Sequence, residues 1–129
     1  MVEDSGYGNA GIVVDALHLD RSGGHPSDLA AIPAGRLSFV QLCDAPARQP
    51  ALDALRREAR GDRLYPGEGA LPLVALMEAL PGDVPLDLEA PSRRTAHLPL
   101  LEQARLAAEA TRRFLAAYER QALPRGAGA

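Results

Sequence analysis

The chain has a single cysteine, Cys43. No internal disulfide can form, and nothing points to an oxidising compartment. An excess of basic residues is also missing: 14 Lys+Arg against 17 Asp+Glu give a net charge of −3 and a pI near 5.6. A nucleic-acid-binding surface ordinarily needs a basic patch. Here the arginines are interleaved with acids, as in Arg56-Arg57-Glu58 and Glu119-Arg120, a pattern expected of a solvated helix face. No apolar run approaches the roughly 18 residues that span a bilayer. The opening Met1-Val2-Glu3-Asp4-Ser5-Gly6 lacks the basic and apolar segments of a signal peptide. Neither nucleic acid nor membrane is therefore expected as a partner, and the cytoplasm is the default location.

The chain's 129 residues are enough for one domain with a real core, and 47% of them are hydrophobic. Strand and helix signals alternate along it. Residues 1–9 are polar and glycine-containing, which predicts a flexible lead-in. Residues 11–15 are a short β-branched run without surface alternation, as in a strand covered on both faces. Ser27 offers an N-cap for a short helix over 28–32. A second strand is expected over 37–42, then a helix over 50–60 with Leu52 and Leu55 on one stripe. The spacing predicts a loop over 64–69, an apolar helix over 71–80 starting near Pro72, and a third strand over 84–89. From about 99 to 121 runs a long amphipathic helix. Its apolar face is expected to hold Leu100, Ala104, Ala107, Thr111, Phe114 and Tyr118. Pro124 and the Gly-Ala ending predict a disordered tail over 122–129. Strands alternating with helices imply an α/β fold with parallel strands.

Each expected strand ends in a side chain that can bind a hard metal ion: Asp15, Gln41 and Glu89. In parallel α/β folds ligands bind at the C-terminal strand ends, where neighbouring strands aim their last residues into one crevice. Two carboxylates and an amide oxygen suit Mg²⁺ or Mn²⁺. The alternative is ordinary polarity where loops begin. Asp87 shares strand parity with Glu89 and has no evident role. His25, between Gly24 and Pro26, is expected at the surface, and His97 has no partner motif. Cys43 is expected as a small buried filler.

Four segments in order carry a family resemblance. Val14-Asp15-Ala16-Leu17-His18 resembles the Asp-x-x-His segment of the sugar phosphate isomerase/epimerase family, whose members are xylose isomerase-like TIM barrels. Phe39 to Pro46 resembles the next strand end, where many members carry His in place of Gln41. Arg63 to Gly69 resembles the Arg-x-x-Pro-Gly-x-Gly loop, and Leu86-Asp87-Leu88-Glu89 the last strand. The resemblance spans roughly 10 to 121 and implies the C-terminal part of the barrel, about the last three βα units of a (β/α)8 fold. A full barrel takes about 250 residues.

By resemblance, one divalent ion is held by positions matching Asp15, Gln41 and Glu89 and by an upstream Glu outside the matched segments. Gln41, in place of His, makes the site harder and favours Mg²⁺ or Mn²⁺. The implied chemistry is proton abstraction next to a carbonyl through a metal-stabilised enediolate on a sugar or other hydroxy-carbonyl substrate. Glu89 is the implied base, His18 a catalytic or substrate-binding group, and Asp44 and Arg63 substrate contacts. Bacterial 3-dehydroshikimate dehydratases look similar here too, with a Gln-x-x-Asp-Ala-Pro strand end, so a lyase is the rival reading. A non-catalytic interaction domain is the third. Three strands leave sheet edges unpaired, so a homo-oligomer, or a partner completing the barrel as its N-terminal half, is expected.

Overall fold

The structure, a computed structural model, describes residues 3–33 and 35–122. Its elements run in the order β1 (Ile12–Asp15), α1 (Ala16–Arg21), a 3₁₀ segment (Pro26–Ala31), β2 (Leu37–Leu42), α2 (Leu55–Gly61), α3 (Leu73–Glu78), β3 (Leu86–Leu88) and α4 (Leu100–Ala122). A further 3₁₀ turn, Glu3–Ser5, lies inside the expected lead-in. Of the expected tail, Ala122 closes α4 and 123–129 fall outside the described residues.

The three strands form one parallel sheet in the order β1-β2-β3. Consecutive parallel strands need crossovers, and the helical segments between them provide these. In register, Asp15 stands opposite Gln41, and Gln41 opposite Asp87. Side chains alternate between faces along a strand. Val14, Val40 and Leu42 therefore point one way, and Val13, Asp15, Phe39, Gln41 and Asp87 the other.

Helices cover the first face. Val40, Leu42, Leu17 of α1, Leu29 of the 3₁₀ segment and Leu73 and Leu76 of α3 form the buried cluster, with Phe114 of α4 packed against it. Each such aliphatic side chain contributes about 1.5–3 kcal/mol on burial. The second face would line the interior of a closed barrel. Here Val13 on that face is 45% exposed, and among the described residues no strand pairs with the outer edge of β1 or β3. The fold is thus an open arc of a barrel.

Several local expectations are corrected. The N-cap of the first short helical segment is His25, whose ring accepts from the Ser27 amide while Asp28 accepts from the His25 amide. Ser27 lies inside the segment. The segment Ala16–Arg21, which the strand run obscured, is a helix because the Asp15 carboxylate caps it. Leu52 is 85% exposed and precedes α2, which begins at Leu55 without a side-chain cap. Nor is Arg56-Arg57-Glu58 uniformly solvated. Glu58 is buried and accepts two hydrogen bonds from Arg21, at 2.9 and 3.0 Å, a bidentate pair that ties α1 to α2. Leu100 and Ala104 are exposed, so the packed face of α4 centres on Ala110 and Phe114.

Candidate metal and substrate site

A crevice of about 470 Å³ is bordered by His18 of α1, by Arg56, Ala59 and Arg60 of α2, by Arg63, and by Glu89 and Pro91 after β3. The fold therefore brings His18, Arg63 and Glu89 to one opening. Asp15 and Gln41, at the ends of β1 and β2, are not among the residues that border it, although Asp15 pairs with Arg63, which does.

Asp15 ends β1 in extended backbone and turns the chain into α1. Its Oδ1 accepts from the amides of Leu17 (2.9 Å) and His18 (3.1 Å). Its Oδ2 accepts from Arg63 Nη1 at 2.6 Å. Arg63 is only 2% exposed. The same Nη1 reaches the Glu89 carbonyl at 3.1 Å and Cys43 Sγ at 3.4 Å, and Nε donates to the Ala59 carbonyl at 2.8 Å. Burial is the largest influence on this guanidinium and lowers its pKa, but the hydrogen bond it donates to Asp15 and the charge interactions with Cys43 and Asp15 together leave it raised.

Gln41 Nε2 lies 3.4 Å from Asp87 Oδ2. This gives Asp87 the role its sequence position left open: it pairs laterally with Gln41 and orients the carboxamide. Glu89, just past β3, donates its amide to the Leu42 carbonyl at 3.0 Å. Its half-buried carboxylate has no partner among the described residues. The His18 ring is exposed at the crevice rim, also without a hydrogen-bond partner there. Burial pushes the Cys43 thiol up to about 11, against a partial lowering by Arg63. The thiol therefore stays protonated at neutral pH, as a filler.

Asp44, expected as a substrate contact, is placed by the structure at the centre of a loop. It is 2% exposed, and both its oxygens are taken by backbone amides. Oδ1 accepts from Ala45 (2.8 Å) and Leu71 (2.9 Å), and Oδ2 from Gly67 (3.1 Å) and Gly69 (2.9 Å). The Pro66-Gly67-Glu68-Gly69 loop wraps this carboxylate. Gly67 has φ +86, and a Cβ at Gly69 would collide with the Ala45 carbonyl and the Asp44 carboxylate. The loop glycines thus follow from its geometry. No free oxygen of Asp44 faces the crevice.

Among the described residues no three His, Cys, Asp or Glu side chains converge closely enough to hold an ion. With Gln41 counted, the donor set does suit a hard divalent cation: two carboxylates and an amide oxygen on neighbouring strand ends. The Glu89 carboxylate is free, whereas Asp15 is neutralised by Arg63, so an ion at Asp15 has to displace that guanidinium. Sequence reasoning missed Arg56 and Arg60 at the crevice. Their spacing of four, which sets two arginines on one helix face, was the available signal.

No family model matches the sequence. The chain is 31% identical over 77 residues to the 3-dehydroshikimate dehydratase of Pseudomonas aeruginosa, covering 60% of this chain and 12% of that protein. The enzyme of the same name from Pseudomonas putida is 30% identical over the same length and shares. The chain thus spans about an eighth of the length of these curated relatives. Among solved structures, an IOLI protein with a bound zinc atom superposes with a TM-score of 0.71 at 22% identity, covering 91% of this chain and 41% of that one. A xylose isomerase-like TIM barrel/4-hydroxyphenylpyruvate dioxygenase fusion protein gives 0.72 at 22% identity, covering 98% and 21%. A xylose isomerase domain protein from Alicyclobacillus acidocaldarius gives 0.63 at 28%, covering 91% and 41%. The chain is a partial (β/α)8 barrel with its candidate site at the C-terminal strand ends. Two of the barrels it superposes on are described as a xylose isomerase-like TIM barrel fusion and a xylose isomerase domain protein. No helix among the described residues is long and apolar enough to cross a membrane.

Proposed function

We propose that this chain supplies the C-terminal arc of a divalent-metal-dependent site that removes a proton next to a carbonyl, as in a sugar (phosphate) isomerase or epimerase. The observation that carries this reading is that Asp15 and Gln41, opposite one another at the ends of β1 and β2, are followed on the next strand by Glu89 just past β3, whose unpartnered carboxylate borders the crevice. Glu89 is the base because it alone of the three has a carboxylate free to take a proton. His18, with an unengaged ring at the rim, donates to or accepts from a substrate hydroxyl. Arg63 lies at the floor and lends positive charge near the reacting oxygens. A divalent ion held by Asp15, Gln41 and Glu89 would supply charge that stabilises the oxygen made negative by proton loss. The amide oxygen of Gln41 favours Mg²⁺ or Mn²⁺ over softer ions.

A lyase reading has its own support, since both curated relatives are named as 3-dehydroshikimate dehydratases. The proton-abstracting step is common to both readings, and formation of protocatechuate from dehydroshikimate distinguishes them.

The test is calorimetric titration of the purified chain with Mn²⁺, beside Glu89→Gln and Gln41→Ala. We expect one ion per chain in the wild type and at least about tenfold weaker binding in each variant, as for loss of a ligand or its support. A folded wild-type chain that takes up no Mn²⁺, or variants that bind as well, would overturn the reading and leave a non-catalytic domain in its place.

The same proposal places the chain in the cytoplasm and gives it a partner. The uncovered outer edges of β1 and β3 and the exposed Val13 face are to be completed by another copy or by the N-terminal part of a barrel. Light scattering at micromolar concentration is expected to read more than one chain per particle. A clean monomer would count against self-association.

A further inference from the structure

The chain has no lysine, so its 14 basic residues are all arginines, against 17 acids. With acids in excess, most arginines near the site are paired. Arg21 holds Glu58, Arg57 and Arg93 hold Asp62, Arg94 holds Glu68, and Arg63 holds Asp15. Arg56 and Arg60 are the exceptions. They lie four apart on α2, both exposed, with no ion pair or hydrogen bond from either guanidinium among the described residues, and both border the crevice. Like charges at this spacing on a helix repel, and a shared counter-anion would relieve the repulsion. The unpartnered His18 ring borders the same opening. The one carboxylate bordering it is Glu89, so the wall formed by α2 carries positive charge that no ion pair among the described residues balances.

We propose that Arg56 and Arg60 form an oxyanion subsite of the crevice, so that the molecule bound there carries a carboxylate or a phosphate. This deepens the reading of the crevice as the substrate site and rests on it. Guanidinium groups suit the role because their planar forks match both oxyanions with two parallel hydrogen bonds. Arg63 is set apart from this pair, since its Nε and Nη1 are engaged by Ala59, Asp15 and Glu89. The subsite therefore depends on α2, whereas the proposed base and metal donors sit on the strands.

The experiment follows the side-chain Nε–H resonances of arginine and the ring of His18 by NMR in the purified chain, with EDTA present and ionic strength held constant. One arm titrates inorganic phosphate and the other benzoate. We expect saturable shifts at Arg56 and Arg60 in at least one arm. In the Arg56→Gln/Arg60→Gln double variant the midpoint should rise at least about tenfold, equivalent to about 1.4 kcal/mol. Saturation by phosphate alone or by benzoate alone identifies which oxyanion the subsite takes. Linear shifts in both arms, or an unchanged midpoint in a double variant with wild-type circular dichroism, would overturn the proposal. Because no metal is present, failure here leaves the Mn²⁺ result standing, and failure of Mn²⁺ binding leaves this one standing.

Discussion

Asp15→Ala is expected to destabilise the chain by about 3–5 kcal/mol, the usual cost of leaving one partner of a buried ion pair behind. Arg63 is 2% exposed, so its charge is left largely desolvated when its carboxylate is removed. Its remaining acceptors, the Ala59 and Glu89 carbonyls and the Cys43 sulfur, are neutral. The substitution also removes the cap of α1, worth about 1 kcal/mol. Asp15→Asn separates the two contributions, because asparagine caps well but carries no charge. It should recover only the smaller part. Arg63→Met alone should be comparably costly, since it strands the carboxylate. The double variant Asp15→Ala/Arg63→Met should cost much less than the sum of the two, because burying neither charge is close to neutral. Urea denaturation of the four proteins measures this. Additive losses, or an Asp15→Ala midpoint within a few tenths of a molar of wild type, would show that the 2.6 Å pair carries little of the fold.

That pair also marks a limit of what the sequence reveals. Asp15 at a strand end and Arg63 ahead of a Pro-Gly loop are visible as polar residues with a family resemblance, and the sequence predicts a metal ligand and a substrate contact. It does not reveal that the two meet across 48 positions. Contacts of that kind depend on how β1 and the loop after α2 come together in three dimensions. The parallel α/β arc was legible because β-branched runs and amphipathic spacing are local signals. The same holds for the residues at the strand ends, whose positions follow from strand boundaries.

The less legible parts are short or set by tertiary contacts. The helix Ala16–Arg21 is too brief for a periodic pattern and depends on the Asp15 cap. Glu58 looks like one more surface charge until α1 brings Arg21 to it. Asp87 gains its role only from lateral register with Gln41. Sequence periodicity describes one element at a time. Each of these residues owes its environment to a second element, and that is why the sequence left their roles open or, for Glu58, misjudged them.

Asp44 gives the second large effect and the sharper test of the loop. Replacing it with alanine should cost about 3–5 kcal/mol, because several backbone amides lose their acceptor at once and a buried orphan donor costs about 1–3 kcal/mol. Refilling by water is restricted, since Asp44 is 2% exposed and the Leu71 amide is buried. The informative variant is Asp44→Asn, which keeps shape and volume. A carboxylate presents two acceptor oxygens, and both are used here, toward Ala45 and Leu71 on one side and Gly67 and Gly69 on the other. A carboxamide offers only one acceptor oxygen. Whichever way it sits, its NH₂ faces amide donors and is repelled. Asn is therefore expected to be nearly as damaging as Ala, unlike at an exposed aspartate, where the change is usually within about 0.5 kcal/mol. Hydrogen exchange at the Gly67, Gly69 and Leu71 amides should accelerate in both variants. An Asp44→Asn chain with wild-type stability and protected loop amides would mean that the loop holds itself, and that Asp44 is free to meet a ligand after all.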